Sequence, residues 1–214
     1  MNYNSQTDYW DSVASEKNFT TTLDLSLITK ELNKNALIVD YGCGYGRTLN
    51  QLQDIGFNAL IGFDYSAEMI SRGKKEFPQL DLRVSKNNLI DCDSNTVDLV
   101  IIFAVLTCII DNQGQKDLIH EIERVLKPNG LIYINDFLIN TDERNIERYD
   151  KFKNKYDNYG TFELSEGALL RHHDSNWIAE LTENFEGLEN ETIVFKTMNG
   201  NKSKGIKYLG RKRY

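Results

Sequence analysis

The strongest structural signal in this chain is an apolar run that breaks into alternate glycines. Residues 37–47 read Leu-Ile-Val-Asp-Tyr-Gly-Cys-Gly-Tyr-Gly-Arg. Because glycine has no Cβ, Gly42, Gly44 and Gly46 are able to adopt positive φ and to admit a ligand close to the backbone. Apolar spacing over residues 49–55 predicts a helix after the loop, whose first amides would face that ligand. The segment therefore predicts a strand, a cofactor-binding loop and a helix in succession.

Strand-like and helix-like segments alternate along the first two thirds of the chain. The strand-like runs are residues 37–40, 59–64, 82–84, 97–103 and 131–137. The nearly unbroken apolar run at 97–103 is typical of a strand covered on both faces, and helical spacing follows it over 114–126. This alternation predicts an α/β fold, with a parallel sheet between two layers of helices.

The remainder of the chain has a different pattern. Residues 140–176 are charged and aromatic, and we assign them to a lid that binds substrate. A helix is predicted over 175–185. Extended runs at 192–198 and 205–209 then flank Asn199-Gly200-Asn201, and Asn-Gly between extended runs is a strong hairpin signal.

The composition is that of one globular domain. A chain of 214 residues with 40% hydrophobic content and a mean hydropathy of -0.49 is long enough for one full core. No apolar run approaches the roughly 20 residues that span a bilayer. Residues 1–8 lack the basic and apolar regions of a secretory signal. We therefore expect a single domain over residues 1–214, a cytoplasmic location and no membrane partner.

Charge and cysteine content restrict the partners further. A net charge of -7 argues against an extended nucleic-acid surface, because phosphate binding depends on clustered lysines and arginines. Cys43, Cys92 and Cys108 lie far apart without C-x-x-C spacing, so we expect no metal site. The composition favours a small-molecule partner, and we expect a monomer or a homodimer.

The predicted topology brings the glycine loop and Asp64 to one edge of the sheet. Ligands of open parallel sheets bind outside the carboxyl ends of the strands, where the loop ends the first strand and Asp64 ends the second. An acid at this position accepts hydrogen bonds from ribose hydroxyls. The dinucleotide fingerprint G-x-G-x-x-G has its third glycine one position later than the G-x-G-x-G found here. A nicotinamide-dependent oxidoreductase remains one alternative.

Three motifs in the right order resemble class I S-adenosylmethionine-dependent methyltransferases. They are the glycine loop preceded by Asp40, the acid Asp64, and the run Arg124-Val125-Leu126-Lys127-Pro128-Asn129-Gly130, which resembles the family's R-x-L-K-P-G-G turn. Asn129 replaces a glycine there, and asparagine tolerates the left-handed conformation. The resemblance implies a Rossmann-like three-layer sandwich, with a seven-stranded, mostly parallel sheet whose last strand is antiparallel. It implies S-adenosylmethionine as cofactor.

The resemblance also assigns roles to residues. Asp40 would orient the loop and the methionine end of the cofactor, Asp64 would bind ribose, and Asn88 and Leu89 would flank adenine. An aromatic opening such as Tyr9-Trp10 belongs in many small methyltransferases to a cap, here residues 1–34, that folds over the cofactor. These aromatic side chains could equally anchor a terminal helix to the core. The implied cofactor-binding residues are Tyr9, Trp10, Asp40, Gly42, Gly44, Asp64, Tyr65, Asn88, Leu89 and Phe103.

Candidate catalytic residues lie in the 140–176 lid. Tyr149 would either line a pocket for the acceptor or belong to a small core of the lid. His172 and His173 are candidates for a base or a hydrogen-bond partner, with an ordinary structural role as the alternative. In an extended stretch the two histidines would point to opposite faces, so at most one would reach the site.

The reaction implied by the resemblance is methyl transfer by in-line displacement to an N, O, S or C nucleophile. Alignment and desolvation would supply most of the acceleration. Phe103-Ala104-Val105-Leu106 stands where family members that methylate amino groups of nucleic acids or proteins carry N-P-P-Y, which favours a small-molecule acceptor. A non-catalytic protein that binds S-adenosylmethionine is the second alternative.

Overall fold

A computed structural model describes residues 6–86, 89–197 and 200–213. Its centre is a seven-stranded sheet in the order β3-β2-β1-β4-β5-β9-β8. The strands of this sheet are β1 (Ile38–Tyr41), β2 (Leu60–Asp64), β3 (Asp81–Val84), β4 (Val97–Phe103), β5 (Leu126–Phe137), β8 (Phe185–Lys196) and β9 (Lys202–Lys212). A separate antiparallel pair consists of β6 (Thr161–Glu163) and β7 (Leu169–Arg171).

Helices cover both faces of the sheet. They are α1 (Thr7–Val13), α2 (Leu25–Glu31), α3 (Arg47–Asp54), α4 (Ala67–Glu76), α5 (Asn112–Val125), α6 (Glu143–Phe152) and α7 (Ser175–Leu181). Apolar residues of α5 and α7 share one core with the sheet, and those of α2, α3 and α4 share the other. The predicted three-layer α/β sandwich is confirmed.

The packing of strand β4 explains why its sequence is apolar from Leu99 to Phe103. Leu99 and Ile101 pack into the core with α2 and α3, whereas Val100 and Ile102 pack into the core with α5. All four side chains are fully buried. A strand buried on both faces cannot alternate apolar and polar residues, as an exposed strand does.

The sheet is parallel up to β5 and then changes direction. β1 pairs in parallel with β2 and β4, and β5 pairs in parallel with β4 but antiparallel with β9. The last strand of the chain is therefore antiparallel, as predicted. The turn over residues 127–130 interrupts the pairing of β5 with β4, and Asn129 adopts a left-handed φ of +65° there.

The C-terminal elements differ from their predicted bounds. α7 ends at Leu181, and β8 begins at Phe185, seven residues before the predicted strand. Residues 186–191 are polar or glycine except for Leu188, so they lack the alternation that predicts a strand, and pairing with β9 makes them extended. The hairpin between β8 and β9 is confirmed. No helix within the described ranges is both long and apolar enough to cross a bilayer.

Candidate functional site

A cavity of about 310 Å³ lies at the carboxyl ends of β1, β2, β4 and β5. This is the edge at which open parallel sheets bind ligands. The volume is at the lower end of the roughly 300–1,000 Å³ typical of small-molecule sites. Residues from α1, α6 and the β6–β7 pair complete the lining, so the cap and the lid predicted from sequence both contribute to one cavity.

Two glycines of the loop occupy positions that no larger residue would fit. Gly42 and Gly44 line the cavity with φ of +78° and +56°. A Cβ on Gly42 would lie 2.5 Å from Val105 Cγ2, and one on Gly44 would lie 2.7 Å from Phe19 Cε2. The loop backbone is therefore open to a ligand on its cavity side and closely packed on its other sides.

Asp40 places a buried carboxylate in the cavity wall. The residue is 1% exposed, and its Oδ1 has no hydrogen-bond partner within the described ranges. Burial and, to a smaller extent, the neighbouring charge of Asp64 raise the pKa of Asp40 to about 7. A buried carboxylate without a donor costs free energy that a cationic ligand would recover. The site thus fits a cofactor with a positive charge.

Asp64 links the glycine loop to the start of α4. Its Oδ2 accepts a hydrogen bond from the Gly44 amide, and its Oδ1 accepts one from the Ser66 amide, both at 2.8 Å. Burial raises the pKa of Asp64, and these two amides oppose that effect. Each carboxylate oxygen has a second lone pair. Asp64 is therefore able to hold the loop and accept a ligand hydroxyl at the same time.

Aromatic side chains connect α1 to the glycine loop. Tyr9 and Trp10 line the cavity with ring centroids 5.1 Å apart. The Trp10 ring lies 6.4 Å from Phe19, whose ring stacks on Tyr45 at 5.5 Å. Trp10 also packs against a small apolar cluster that includes Met69. Trp10 therefore lines the cavity and also anchors the terminal helix, so a place over the cavity and a structural role are compatible.

Polar contacts fix the N-terminal segment to α4. Asp11 Oδ1 accepts hydrogen bonds from the Ser66 hydroxyl at 2.6 Å and from the Glu68 amide at 3.2 Å. The Arg72 guanidinium donates to the carbonyl oxygens of Ala14 at 2.9 Å and Lys17 at 2.8 Å. Together these bonds hold α1 and the residues after it over the cavity.

Gln6 joins the same segment to the lid. Its side-chain amide donates to the carbonyl oxygens of Cys108 and Leu169, and its Oε1 accepts from the Leu169 amide at 3.2 Å. The residue is 8% exposed. No sequence signal marks this glutamine, because its partners lie more than 100 residues away.

Some of the other predicted cofactor residues line the cavity, and others do not. Tyr65 and Phe103 line the cavity. Ala104, beside Phe103, has a φ of +56°, and such strain in a residue with a Cβ is concentrated at functional sites. Leu89 is 56% exposed and lies outside the lining. Asn88 falls outside the described residues, so its assignment stays a prediction.

His172 lines the cavity, whereas Tyr149 lies behind its wall. The Tyr149 hydroxyl is 2.6 Å from His172 Nδ1 and accepts a hydrogen bond from the Asn140 amide at 3.3 Å. Among the described residues the Tyr149 hydroxyl has no acceptor other than Nδ1, so we assign its proton to that hydrogen bond and the ring proton of the neutral imidazole to Nε2. Burial, reinforced by Arg148, lowers the pKa of His172 to about 3. His172 is therefore a neutral hydrogen-bond donor, and Tyr149 supports it instead of lining the pocket.

His173 has no ring nitrogen available to a ligand. Its Nε2 accepts a hydrogen bond from the Gln115 amide at 2.8 Å, and its Nδ1 donates to the Phe137 carbonyl at 3.1 Å. Burial lowers the pKa of His173 to about 3. The Gln115 Oε1 in turn accepts a hydrogen bond from the Trp177 indole Nε1–H at 2.6 Å. The expected role of His173 in chemistry thus gives way to a structural one, while the expected opposite orientation of the two histidines is confirmed.

Several residues that line the cavity were not predicted from the sequence. They belong to α3, α6 and the strand ends, and they are Arg47, Phe137, Arg144, Arg148, Phe162 and Phe195. An arginine or phenylalanine within a charged helix or a short strand carries no signal of its own. Only the two arginines four residues apart on α6 could have indicated a shared helical face.

Residues 39–134 match a family model described as a methyltransferase domain. This match and the relatives described next support a class I S-adenosylmethionine-dependent methyltransferase. An S-adenosylmethionine-dependent methyltransferase of Methanosarcina mazei shares the fold, with a TM-score of 0.84, 22% identity, and coverage of 90% of this chain and 99% of that chain. The family match supports S-adenosylmethionine as the cofactor.

Sequence relatives match parts of longer proteins. The 235L protein of Invertebrate iridescent virus 6, named as a methyltransferase, is 26% identical over 166 residues, which are 74% of this chain and 57% of the viral protein. An uncharacterized methyltransferase of Schizosaccharomyces pombe is 31% identical over 99 residues, which are 46% of this chain and 38% of the yeast protein. The chain thus spans little more than half of the first relative and about two fifths of the second.

Proposed function

We propose that this chain transfers a methyl group from S-adenosylmethionine to a small-molecule acceptor by in-line displacement with an N, O, S or C nucleophile. The cofactor supplies a methyl group on a positively charged sulfur, which keeps the electron pair of the broken bond. The proposal rests on Asp40, whose buried Oδ1 has no hydrogen-bond donor among the residues that the structure describes, in a cavity with aromatic walls. A carboxylate favours the cationic cofactor, and aromatic faces favour a cation while excluding water.

The chain's own residues would hold the cofactor from several sides. Gly42 and Gly44 offer close backbone contact, and Asp64 accepts hydrogen bonds from the ribose hydroxyls. Arg47, which lines the cavity, has a buried Nε without a partner in the described part of the chain, and we assign it to the methionine carboxylate. Tyr65 and Phe103 complete the lining. All six assignments are proposals for binding.

Tyr9 and Trp10 would close the cavity over the reacting groups. We assign the cap, residues 1–34, to the cofactor and the lid, residues 140–176, to the acceptor, within a single domain. The chain contributes alignment and desolvation. Because His172 is a neutral donor, the proposed mechanism includes no dedicated base, and a proton released by the acceptor goes to solvent.

The size of the cavity supports a small acceptor. A site of about 310 Å³ covered by α1 and the lid has no room for a folded macromolecule. A structural neighbour, 1,6-didemethyltoxoflavin-N1-methyltransferase of Burkholderia thailandensis, holds 1,6-didemethyltoxoflavin and S-adenosylhomocysteine. It has a TM-score of 0.61 and 14% identity, with coverage of 88% of this chain and 76% of that chain. We expect a monomer or a homodimer, since the proposal needs no second copy.

The test is methyl transfer from isotopically labelled S-adenosylmethionine to a small-metabolite extract, with calorimetry of S-adenosylhomocysteine binding. Asp64→Ala should weaken that binding by about 1–3 kcal/mol, through loss of charged hydrogen bonds to ribose. Asp91→Ala is the matched control, because Asp91 has a side chain 91% exposed and lies outside the cavity. Unchanged affinity in Asp64→Ala would contradict the cofactor placement. Binding without labelled product would favour a non-catalytic binding protein.

A further inference from the structure

Helix α6 of the lid presents two arginines to the cavity. Arg144 and Arg148 lie four residues apart on α6, and both line the cavity. Within the described ranges no carboxylate forms an ion pair with Arg148, and Arg144 meets only Asp142, at 3.7 Å. Like charges at this spacing destabilise a helix. The two guanidinium groups therefore form a site for an anion.

Arg148 is held in place although no acid neutralises it. Its guanidinium lies 4.4 Å from the centroid of the Phe162 ring. Burial lowers the pKa of Arg148, and the positive charge of Arg144 lowers it further. An arginine so oriented by an aromatic face presents a planar fork of donors, which matches a carboxylate.

The cofactor does not require this cation. Its own carboxylate has Arg47, which follows Gly46 directly and donates to the Thr21 carbonyl at 2.6 Å. The acids that line the wall around the glycine loop, Asp40 and Asp64, suit the positive charges of the cofactor. The lid also contributes an acid to the lining, Glu166, which pairs with Lys17 at 3.7 Å and therefore leaves Arg148 unneutralised.

The walls near Arg148 are flat aromatic surfaces. The His172 imidazole stacks on Phe137 with centroids 5.1 Å apart and planes 6° apart, and Phe162 meets it edge-on at 5.0 Å. Phe195 packs against Phe137 at 4.7 Å. Such an arrangement favours a planar ring, because aromatic rings pack well in offset-stacked and edge-to-face geometry.

We infer that the acceptor is a small planar molecule with a carboxylate, which Arg148 binds through its guanidinium and His172 through Nε2–H. This inference rests on the proposed function and specifies its substrate class. Arg148 and His172 would be specificity determinants: they fix the anionic group, and thereby the orientation of the ring toward the methyl group. Within the described residues, neither Arg148 nor His172 Nε2 has a hydrogen-bond partner that would compete.

The test compares paired ring compounds that differ only in charge. Benzoate, salicylate and indole-3-carboxylate, and the amide of each, are titrated by calorimetry into protein saturated with S-adenosylhomocysteine. We expect the carboxylates to bind wild type at least tenfold more tightly than the amides. Arg148→Gln should weaken carboxylate binding by about 10- to 100-fold, which is the usual contribution of a charged hydrogen bond, and should leave amide binding unchanged. Lys151→Gln removes an exposed charge of α6 outside the cavity, so it should change neither the carboxylate nor the amide affinity by more than twofold.

The outcomes separate this inference from the proposed function. Equal binding of carboxylates and amides to wild type, or equal carboxylate binding to wild type and Arg148→Gln, would overturn the inference. Labelled products from the metabolite extract should be retained by an anion exchanger at pH 7, and products that are not retained would also overturn it. Failure of wild type to bind S-adenosylhomocysteine would instead refute the proposed function itself.

Discussion

Gly73→Ala should destabilise the protein, although alanine is the better helix former. Gly73 is buried in α4, where alanine alone would favour the helix by about 0.8–1.0 kcal/mol. A Cβ at this position, however, would lie 2.7 Å from the Tyr45 carbonyl oxygen and 2.5 Å from Leu82 Cδ1. The leucine side chain is able to move, but the carbonyl belongs to the backbone of the glycine loop.

The balance of these effects sets the expected magnitude. Overpacking of a close-packed interior costs about 1–3 kcal/mol. The close contact with a backbone carbonyl places the cost in the upper half of that range, about 2–3 kcal/mol, so after the gain in helix propensity we expect a net loss of about 1–2 kcal/mol for Gly73→Ala. In a domain of this size each kcal/mol lowers Tm by about 2–4 °C, so Tm should fall by about 2–8 °C. Because Tyr45 lies in the loop, affinity for S-adenosylhomocysteine should fall as well.

Urea unfolding and calorimetry with S-adenosylhomocysteine measure the two effects of Gly73→Ala. Lys74→Ala is the control, because Lys74 is the next residue of the same helix and is exposed. It should alter the free energy of unfolding by less than about 0.5 kcal/mol. A higher Tm for Gly73→Ala would refute the reasoning, since it would mean that helix propensity outweighs the contact with the loop.

Three further substitutions test the site. Burial raises the pKa of Asp40 to about 7, above its value in the unfolded chain, so the ligand-free protein should lose stability as pH rises from about 4 to 7. In urea unfolding, Asp40→Asn should reduce this pH-dependent loss of unfolding free energy by roughly 1–4 kcal/mol. An identical pH dependence in wild type and Asp40→Asn would contradict the prediction. Tyr149→Phe leaves His172 Nδ1 and the Asn140 amide without their partner, so the free energy of unfolding should fall by about 1–3 kcal/mol. Arg72→Ala removes the bonds to Ala14 and Lys17, and hydrogen exchange of α1 should accelerate about tenfold or more while core amides stay protected. Exchange that accelerates equally in both regions would count against a local role for Arg72.

The parallel part of the sheet was predictable because its signals are local. β4 is apolar on both faces. The glycine loop and the turn at 127–130 have glycine or asparagine where the backbone φ is positive. The bounds of β8 were not predictable from composition, because its first half becomes extended only through pairing with β9. Local propensity is weak where tertiary hydrogen bonds decide the conformation.

The same difference between local signals and long-range contacts applies to the residues of the site. Asp40, Asp64 and the glycines follow strands directly, so the fold brings them to the cavity in a way that the sequence order determines. The tautomer of His172 depends on Tyr149, 23 residues away, and His173 depends on Gln115, 58 residues away. Residue type alone could therefore not separate the histidine in the cavity from the one behind it.

The hydrogen bonds of Gln6 have a consequence for the order of events in turnover. One side chain bridges the N-terminal segment, which we assign to the cofactor, and the β7 strand of the lid, through Leu169. Movement of either cover must break the same buried bonds, so opening for one ligand also loosens the enclosure of the other. Release of the methylated product and release of S-adenosylhomocysteine are then limited by a single opening step, and a rapid-mixing experiment should find one common rate for both.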